Sequence, residues 1–311
     1  MTSRAPDVNV PMFTRRHMVG GFALGAGLMA AGAWREKNAA AWREKNAAAW
    51  REKNAAANQL TPEQVLSSKL DELAQTYGAD ELSVAAFNHV TNQGFQYHPE
   101  YRGYEASIVK VSIALAVMRF QHEKNDQLTD EQKQAMKASI EQSDNDATSQ
   151  LFGMLGTTNT ERADFLNGTY QKMGVTNTSS SEGWGSNETN PVDQVQIART
   201  VYDGAEWANP NDVDYLRELM HAKDESQSWG VGALKESRQD DQDVLCKNGW
   251  LPDTDNLWNL NTVGVAILDA GAFSLCAMTK GFEDQTQGEK LVSDSIAAVV
   301  EAMVNHNDKI Q

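Results

Sequence analysis

Apolar residues recur with a helical period at the start of residues 59–311 and then with the alternation typical of strands. The segment LTPEQVLSSKLDELAQTYG, residues 60–78, predicts a helix that Thr61 and Gln64 cap and that Gly78 ends. ELSVAAF and FQYH, separated by TNQG, predict two strands joined by a turn. This part of the chain therefore predicts a helix followed by a strand pair.

The middle of the chain has helical patterns throughout. Residues 107–121 are apolar on nearly every side, which indicates a helix inside the protein. Shorter helices are predicted over 129–142, 146–155, 160–173, 191–204 and 211–222. Their predicted N-caps are Thr129, Asn145, Thr160, Asn190 and Asn211. A loop rich in Ser, Gly and Asn is expected at 176–190.

Strand patterns return at the end of the chain. DVLCKNGW, WNLNTVGVAILD and AFSLCAMTK predict three strands, and a last helix is predicted over about 287–305. Strands and helices at both ends thus enclose an all-helical middle. We expect an α/β fold of the α+β two-lobe kind, in which helices flank an antiparallel sheet and a helical lobe is inserted at about 105–225.

Residues 1–33 have the features of a twin-arginine export signal. Arg15 and Arg16 precede the apolar run MVGGFALGAGLMAAGA, which ends in small residues at Ala31–Ala33. The run is shorter than the ~20 residues of a membrane-spanning helix. We therefore expect an exported protein, in the periplasm, the cell envelope or the medium, with no membrane span beyond this signal. An uncleaved anchor is the alternative.

Residues 34–58 contain three copies of AWREKNAA, which place Trp34, Trp42 and Trp50 at a period of eight. Eight residues exceed two helical turns, so these tryptophans would spiral around a helix rather than form one apolar stripe. Three units are also too few to bury a core of their own. The repeat is predicted to be a spacer, with a cell-wall binding role as the alternative.

The composition disfavours several kinds of partner. The formal net charge is −16 and the sequence pI is about 4.8, whereas nucleic-acid-binding proteins usually present a basic surface. The histidines are scattered without ligand spacing, so we expect no metal and no cofactor. Cys246 and Cys276 lie on predicted strands that a third strand separates, which predicts two free, buried thiols rather than a disulfide. We expect a monomer.

Ser107 and Lys110 stand three residues apart at the head of the apolar helix, and therefore on the same side of it. A buried ammonium without a partner is strongly unfavourable, so this lysine needs a role. A desolvated lysine can accept the proton of a serine and make its hydroxyl a nucleophile. The alternative is a capping serine beside a lysine that extends to solvent.

Two more motifs follow in the chain. Ser143-Asp144-Asn145 lies at a helix junction, and Lys247-Asn248-Gly249 lies on a predicted strand. The order S-x-x-K, S-D-N and K-T-G is the signature of class A β-lactamases and penicillin-binding proteins. Residues from about 60 to 311 therefore resemble the serine β-lactamase and penicillin-binding protein superfamily, nearest to class A. The resemblance implies the β-lactamase/transpeptidase-like fold and a catalytic domain over 59–311.

The resemblance implies a role for each matching residue. Ser107 would attack the carbonyl of a β-lactam or of a cell-wall peptide and become acylated. Lys110 would be the base or a proton relay, and Ser143 would carry a proton to the leaving nitrogen. Asn145 would bind the substrate amide, and Lys247 would attract the substrate carboxylate.

The end of the third motif completes the implied cleft. The backbone N–H groups of Ser107 and Trp250, the residue after Gly249, would form the oxyanion hole. Asn248 replaces the usual Thr or Ser, so that an amide would have to bind the substrate carboxylate. The predicted function is hydrolysis of β-lactams through an acyl-serine.

The deacylating base is the weakest match. Class A enzymes place a glutamate on an omega loop to activate water, and here the corresponding loop, TSSSEGWGSNETN, is short. Glu182 is the best candidate, and a plain loop residue is the alternative. Without such a base the protein would act as a penicillin-binding D,D-peptidase or an esterase with slow deacylation. A catalytically silent cell-wall binding or scaffold protein is the alternative from another class.

Overall fold

The structure, a computed structural model, describes residues 60–221, 224–237 and 244–307. The expectations for the export signal at 1–33 and the spacer at 34–58 lie outside these residues. The helices are α1 Pro62–Tyr77, α2 Val109–Glu123, α3 Asp130–Glu141, α4 Asn145–Gly153, α5 Asn159–Met173, α6 Pro191–Asp203, α7 Pro210–Leu219 and α8 Gln285–Asn307. The strands are β1 Glu81–Asn88, β2 Gln93–Tyr97, β3 Gly103–Tyr104, β4 Glu188–Thr189, β5 Val244–Pro252, β6 Trp258–Leu268 and β7 Gly271–Phe282. Short 3-10 helices span Ala106–Ile108, Glu225–Gln227 and Gly230–Ser237.

Five strands form one antiparallel sheet in the order β2-β1-β7-β6-β5, and β3 pairs separately with β4. The strand pair from the start of the chain joins the three strands from its end, because β1 pairs with β7 over its whole length. The predicted two-lobe fold with an antiparallel sheet and an inserted helical lobe is confirmed. Cys246 and Cys276, on strands that β6 separates, are free and buried as predicted.

The helix α2 runs through the middle of the protein. Its residues are buried on almost all sides, as the continuous apolar run predicts, and helices α3 to α7 pack around it. A second buried cluster fills the opposite face of the sheet, where α1 and α8 cover it. The sheet thus separates two cores, and α2 begins beside the edge strand β5.

The N-caps of several helices differ from the predicted ones by one or two residues. Thr61, Thr129 and Asn190 cap α1, α3 and α6 as predicted. The predicted caps Asn145, Thr160 and Asn211 are wrong, since Asp144, Thr158 and Asn209 cap α4, α5 and α7. At each of these ends two polar residues can accept the backbone N–H, so the sequence does not single out one.

Within the described ranges, no helix is long and apolar enough to cross a membrane.

Candidate active site

Ser107 lies on a tight turn at the entrance of α2. The 3-10 helix Ala106–Ile108 leads directly into α2, and Ser107 is half-buried there. Ala106 adopts a φ of 48°, a left-handed conformation that a residue with a side chain rarely takes. Its N–H donates to Gly185 O at 2.7 Å, and the N–H of Glu105 donates to Asn187 O at 2.9 Å. The loop before β4 thus holds the serine turn in place.

Gly249 on β5 forms the other wall of this turn. A Cβ atom at this position would lie 2.6 Å from Ser107 N and 2.7 Å from Ile108 N. Only a glycine lets the strand approach the serine backbone so closely. The third motif is thereby brought against the first.

Lys110 points from α2 into the junction between α3 and α4. Its side chain is fully buried, and its Nζ donates to Ser143 O at 2.6 Å, Ser143 Oγ at 3.1 Å and Asn145 Oδ1 at 2.8 Å. These contacts take all three ammonium hydrogens. Among the described residues no hydrogen bond joins Ser107 Oγ to Lys110, although the two residues share one side of the helix.

The Ser-Asp-Asn motif divides its tasks among its three residues. Ser143 has a φ of 56°, which turns its backbone toward the lysine. Asp144 Oδ1 accepts the N–H of Ala147 at 2.7 Å and caps α4. Because Asp144 is the cap, the Asn145 side chain is free to accept from Lys110.

Lys247 reaches the same serine from the sheet. Its fully buried Nζ lies 3.1 Å from Ser143 Oγ, 2.8 Å from Asn248 O and 3.2 Å from Gln227 Oε1. The Ser143 hydroxyl therefore stands between two lysines, one from each lobe. Gln227 was not predicted from the sequence, since a lone glutamine in a 3-10 turn carries no signal of this contact.

The two lysines lose protons easily because they are buried close together. Burial lowers the pKa of Lys110 to about 8, against the opposing charge of Asp144. Burial and then the charge of Lys110 lower the pKa of Lys247 to about 7. One lysine of the pair can therefore be neutral near physiological pH while the other keeps its charge.

Asn248 faces away from the Ser143 side of β5, into the turns that follow α7. Its fully buried amide donates to Trp229 O at 2.9 Å and Gln227 O at 3.3 Å, and its oxygen accepts from Thr262 Oγ1 at 2.7 Å. Both amide hydrogens are therefore used inside the protein. The expected contact of Asn248 with a substrate carboxylate stays a prediction, and we propose in addition that Asn248 fixes the position of Gln227.

The loop at 176–190 brings a tryptophan, not a carboxylate, toward Lys110. The ring of Trp184 is centred 5.4 Å from Lys110 Nζ. Glu182 is exposed on the same loop, and within the described part of the chain it makes no hydrogen bond or ion pair with the lysines. Trp250 is half-buried beside Trp229, at a centroid distance of 6.2 Å.

Glu105 is a buried carboxyl two residues before Ser107. Its Oε1 accepts from Tyr170 OH at 2.9 Å and from Gln194 Nε2 at 3.4 Å. Burial raises its pKa to about 7, although these hydrogen bonds and one from Asn187 act in the other direction. The sequence shows a glutamate directly before an apolar helix, but this position alone does not predict that the Glu105 side chain is buried. The residue joins the serine turn to the loop and to α5 and α6.

Glu105→Gln is expected to remove a pH dependence of stability. The folded carboxyl keeps its proton up to a pKa of about 7, against an ordinary value of 4.5. The stability that the neutral carboxyl provides is complete below pH 4.5 and is lost as the pH rises to 7, because the unfolded chain releases its proton first. The wild-type free energy of unfolding should fall by about 3 kcal/mol across this window relative to the variant. Urea titrations of both proteins at several pH values measure the difference, and parallel curves would contradict it.

The described residues contain no group of three or more His, Cys, Asp or Glu side chains placed to hold a metal ion. The site consists instead of two buried lysines, two serines and an asparagine, which meet where α2, the α3–α4 junction and β5 come together.

The sheet lobe and the helical lobe bring three motifs together: Ser-x-x-Lys, Ser-Asp-Asn and Lys-x-Gly. This combination defines the serine β-lactamase and penicillin-binding protein class, in its class A-like form. The model of the "Beta-lactamase enzyme family" matches residues 121–303, more than half of the chain. The chain therefore belongs to the β-lactamase enzyme family.

Solved structures of this class share the fold at low sequence identity. The TLA-1 extended-spectrum β-lactamase is 17% identical, with a TM-score of 0.66 over 78% of this chain and 100% of its own. A class A β-lactamase from Bacteroides cellulosilyticus is 15% identical, with a TM-score of 0.64 over 79% of this chain and 100% of its own. A β-lactamase from Sphaerobacter thermophilus is 16% identical, with a TM-score of 0.62 over 76% and 96%. No curated protein matches the chain.

Proposed function

We propose that the protein is an exported serine hydrolase that opens β-lactams through an acyl-Ser107 intermediate. One observation carries the proposal: Ser143 Oγ lies 3.1 Å from both Lys110 Nζ and Lys247 Nζ, beside the turn that holds Ser107. A hydroxyl between two buried lysines can pass a proton from an amine to another group. We infer that it delivers this proton to the leaving nitrogen of the substrate.

The proton moves along this route during acylation. The neutral form of Lys110, which a pKa of about 8 makes the minor form at physiological pH, takes the proton of Ser107 as the oxygen attacks the lactam carbonyl, directly or through a water. When both lysines donate to Ser143 Oγ they occupy its two lone pairs, so its own hydrogen remains available for the substrate. Ser143 gives this hydrogen to the lactam nitrogen and regains one from Lys110. The C–N bond breaks and an ester to Ser107 remains.

The remaining groups stabilise the reacting carbonyl and the substrate. We assign the oxyanion hole to the N–H groups of Ser107 and Trp250, because Gly249 holds the strand against the serine turn. Lys247, when charged, attracts an anionic substrate, and the substrate amide replaces Lys110 as a partner of Asn145.

A second candidate is a penicillin-binding D,D-peptidase or an esterase that releases its acyl group slowly. The exposure of Glu182 and the position of Trp184 beside Lys110 favour it, since within the described ranges Glu182 makes no hydrogen bond or ion pair with either lysine. In this second candidate Glu182 is a loop residue and does not activate the hydrolytic water.

Intact mass after incubation with benzylpenicillin tests the proposal. The wild-type chain is expected to gain the mass of one penicillin, and Ser107→Ala is expected to gain none, because the proposed acyl group is attached to the Ser107 hydroxyl. An adduct that disappears within minutes supports a β-lactamase, and a lasting one supports the peptidase. The absence of an adduct under all conditions would overturn the proposal in favour of a silent scaffold protein.

A further inference from the structure

Trp184 is held at a fixed place beside the nucleophile. The next residue, Gly185, accepts the N–H of Ala106 at 2.7 Å, and Ala106 directly precedes Ser107. The preceding residue, Gly183, accepts from Ser180 Oγ at 2.7 Å and Asn187 Nδ2 at 3.2 Å. Backbone contacts on both sides of the tryptophan thus fix it relative to the serine turn.

A second pair of hydrogen bonds fastens the start of this loop to α5. Asn167 Oδ1 accepts the N–H of Ser180 at 2.7 Å, and its Nδ2 donates to Ser180 O at 2.8 Å. The loop is therefore short and tied at both ends. These hydrogen bonds hold the loop, and with it the Trp184 ring, in a defined position.

The ring covers a face of Lys110 that has no hydrogen left to donate. All three ammonium hydrogens go to Ser143 and Asn145, and the Trp184 centroid lies 5.4 Å from Nζ. An indole face attracts the cation but offers a water molecule no strong acceptor. On this side, Lys110 therefore has an indole ring as its neighbour and not a hydrogen-bond acceptor.

We propose that Trp184 sets the lifetime of the acyl-enzyme by excluding the hydrolytic water from the Lys110 side of Ser107. This inference rests on the proposed function. Hydrolysis would bond a water oxygen to the acyl carbon, break the ester bond to Ser107 Oγ, return a proton to that oxygen and release an acid. The step needs a water beside the ester and a base, and the Trp184 ring, centred 5.4 Å from Lys110 Nζ, lies beside the amine that the proposed function makes the base.

Smaller side chains at this position are expected to shorten the life of the adduct. The full-length chain is first acylated with benzylpenicillin, excess drug is removed, and the decay of the adduct is followed by intact mass. For Trp184→Ala we expect decay on the order of tenfold faster than for the wild type. Trp184→Phe, which keeps an aromatic ring, should fall between the two. In water enriched in ¹⁸O the released acid should carry one heavy oxygen.

Trp207→Ala is the matched control, because Trp207 is a half-buried tryptophan that packs against the helical core. Its adduct should decay at the wild-type rate. Equal lifetimes for the wild type, Trp184→Ala and Trp184→Phe would overturn the role of Trp184 while leaving the proposed function intact. Absence of any wild-type adduct would instead overturn the proposed function, and this inference with it.

Discussion

Lys110→Met is expected to slow the acylation of Ser107 by about a thousandfold. Methionine keeps most of the side-chain volume but can accept no proton from the serine. The variant also loses the hydrogen bonds to Ser143 and Asn145, so that Lys247 is the one lysine that still donates to Ser143 Oγ. Rapid-mixing mass spectrometry of the penicillin adduct measures the rate.

Lys172→Met is the control for this change, because Lys172 lies exposed in the last turn of α5. It should be acylated at the wild-type rate. The melting temperature of Lys110→Met should not fall far, since removing a buried charge relieves its desolvation cost. A slowdown of less than about tenfold in a folded Lys110→Met would show that this amine is not the base.

Gly249→Ala is expected to slow acylation by on the order of a hundredfold, although it adds a single methyl group. The new Cβ would lie 2.6 Å from Ser107 N and 2.7 Å from Ile108 N, and these are backbone atoms that cannot rotate away. The strand and the serine turn must separate, which displaces the nucleophile from the two lysines. Overpacking of this kind should also cost about 1–3 kcal/mol of stability.

Gly153→Ala serves as its control, because a Cβ on Gly153 at the end of α4 would meet no atom within 4 Å. Acylation rates are measured for both variants, and urea titrations give their stability. If Gly249→Ala reacts at the wild-type rate, the strand is not required at its observed distance from Ser107, and the assigned oxyanion hole loses its support.

The sequence predicts the strands and most helices of this fold because their patterns are local. The continuous apolar run predicts the buried helix α2, and alternating apolar residues predict the last three strands. The three motifs indicate where the site lies. Three predicted N-caps are wrong by one or two residues, because two neighbouring polar residues could each cap the helix. Nothing local separates Asp144 from Asn145 as a cap, yet the choice decides which of them can bind Lys110.

The partners of the motif residues are not predictable in the same way. Gln227, Trp184 and Glu105 come to the site from a 3-10 turn, a loop and the residue before a helix, and their roles depend on contacts made far along the chain. Asn248 shows the converse. Its position in the third motif suggests a substrate contact, but strand alternation turns the amide into the protein.

The pairing of β1 with β7 joins Glu81 to Lys280, so the central sheet cannot close until Lys280 has been synthesised. Contacts over such long stretches make folding slow. Lys110 and Ser143 precede Lys247 by more than 100 residues, and Lys247 lies on β5 at the edge of the sheet. A nascent or truncated chain that ends before β5 would therefore carry Ser107 without the second lysine of the proton route.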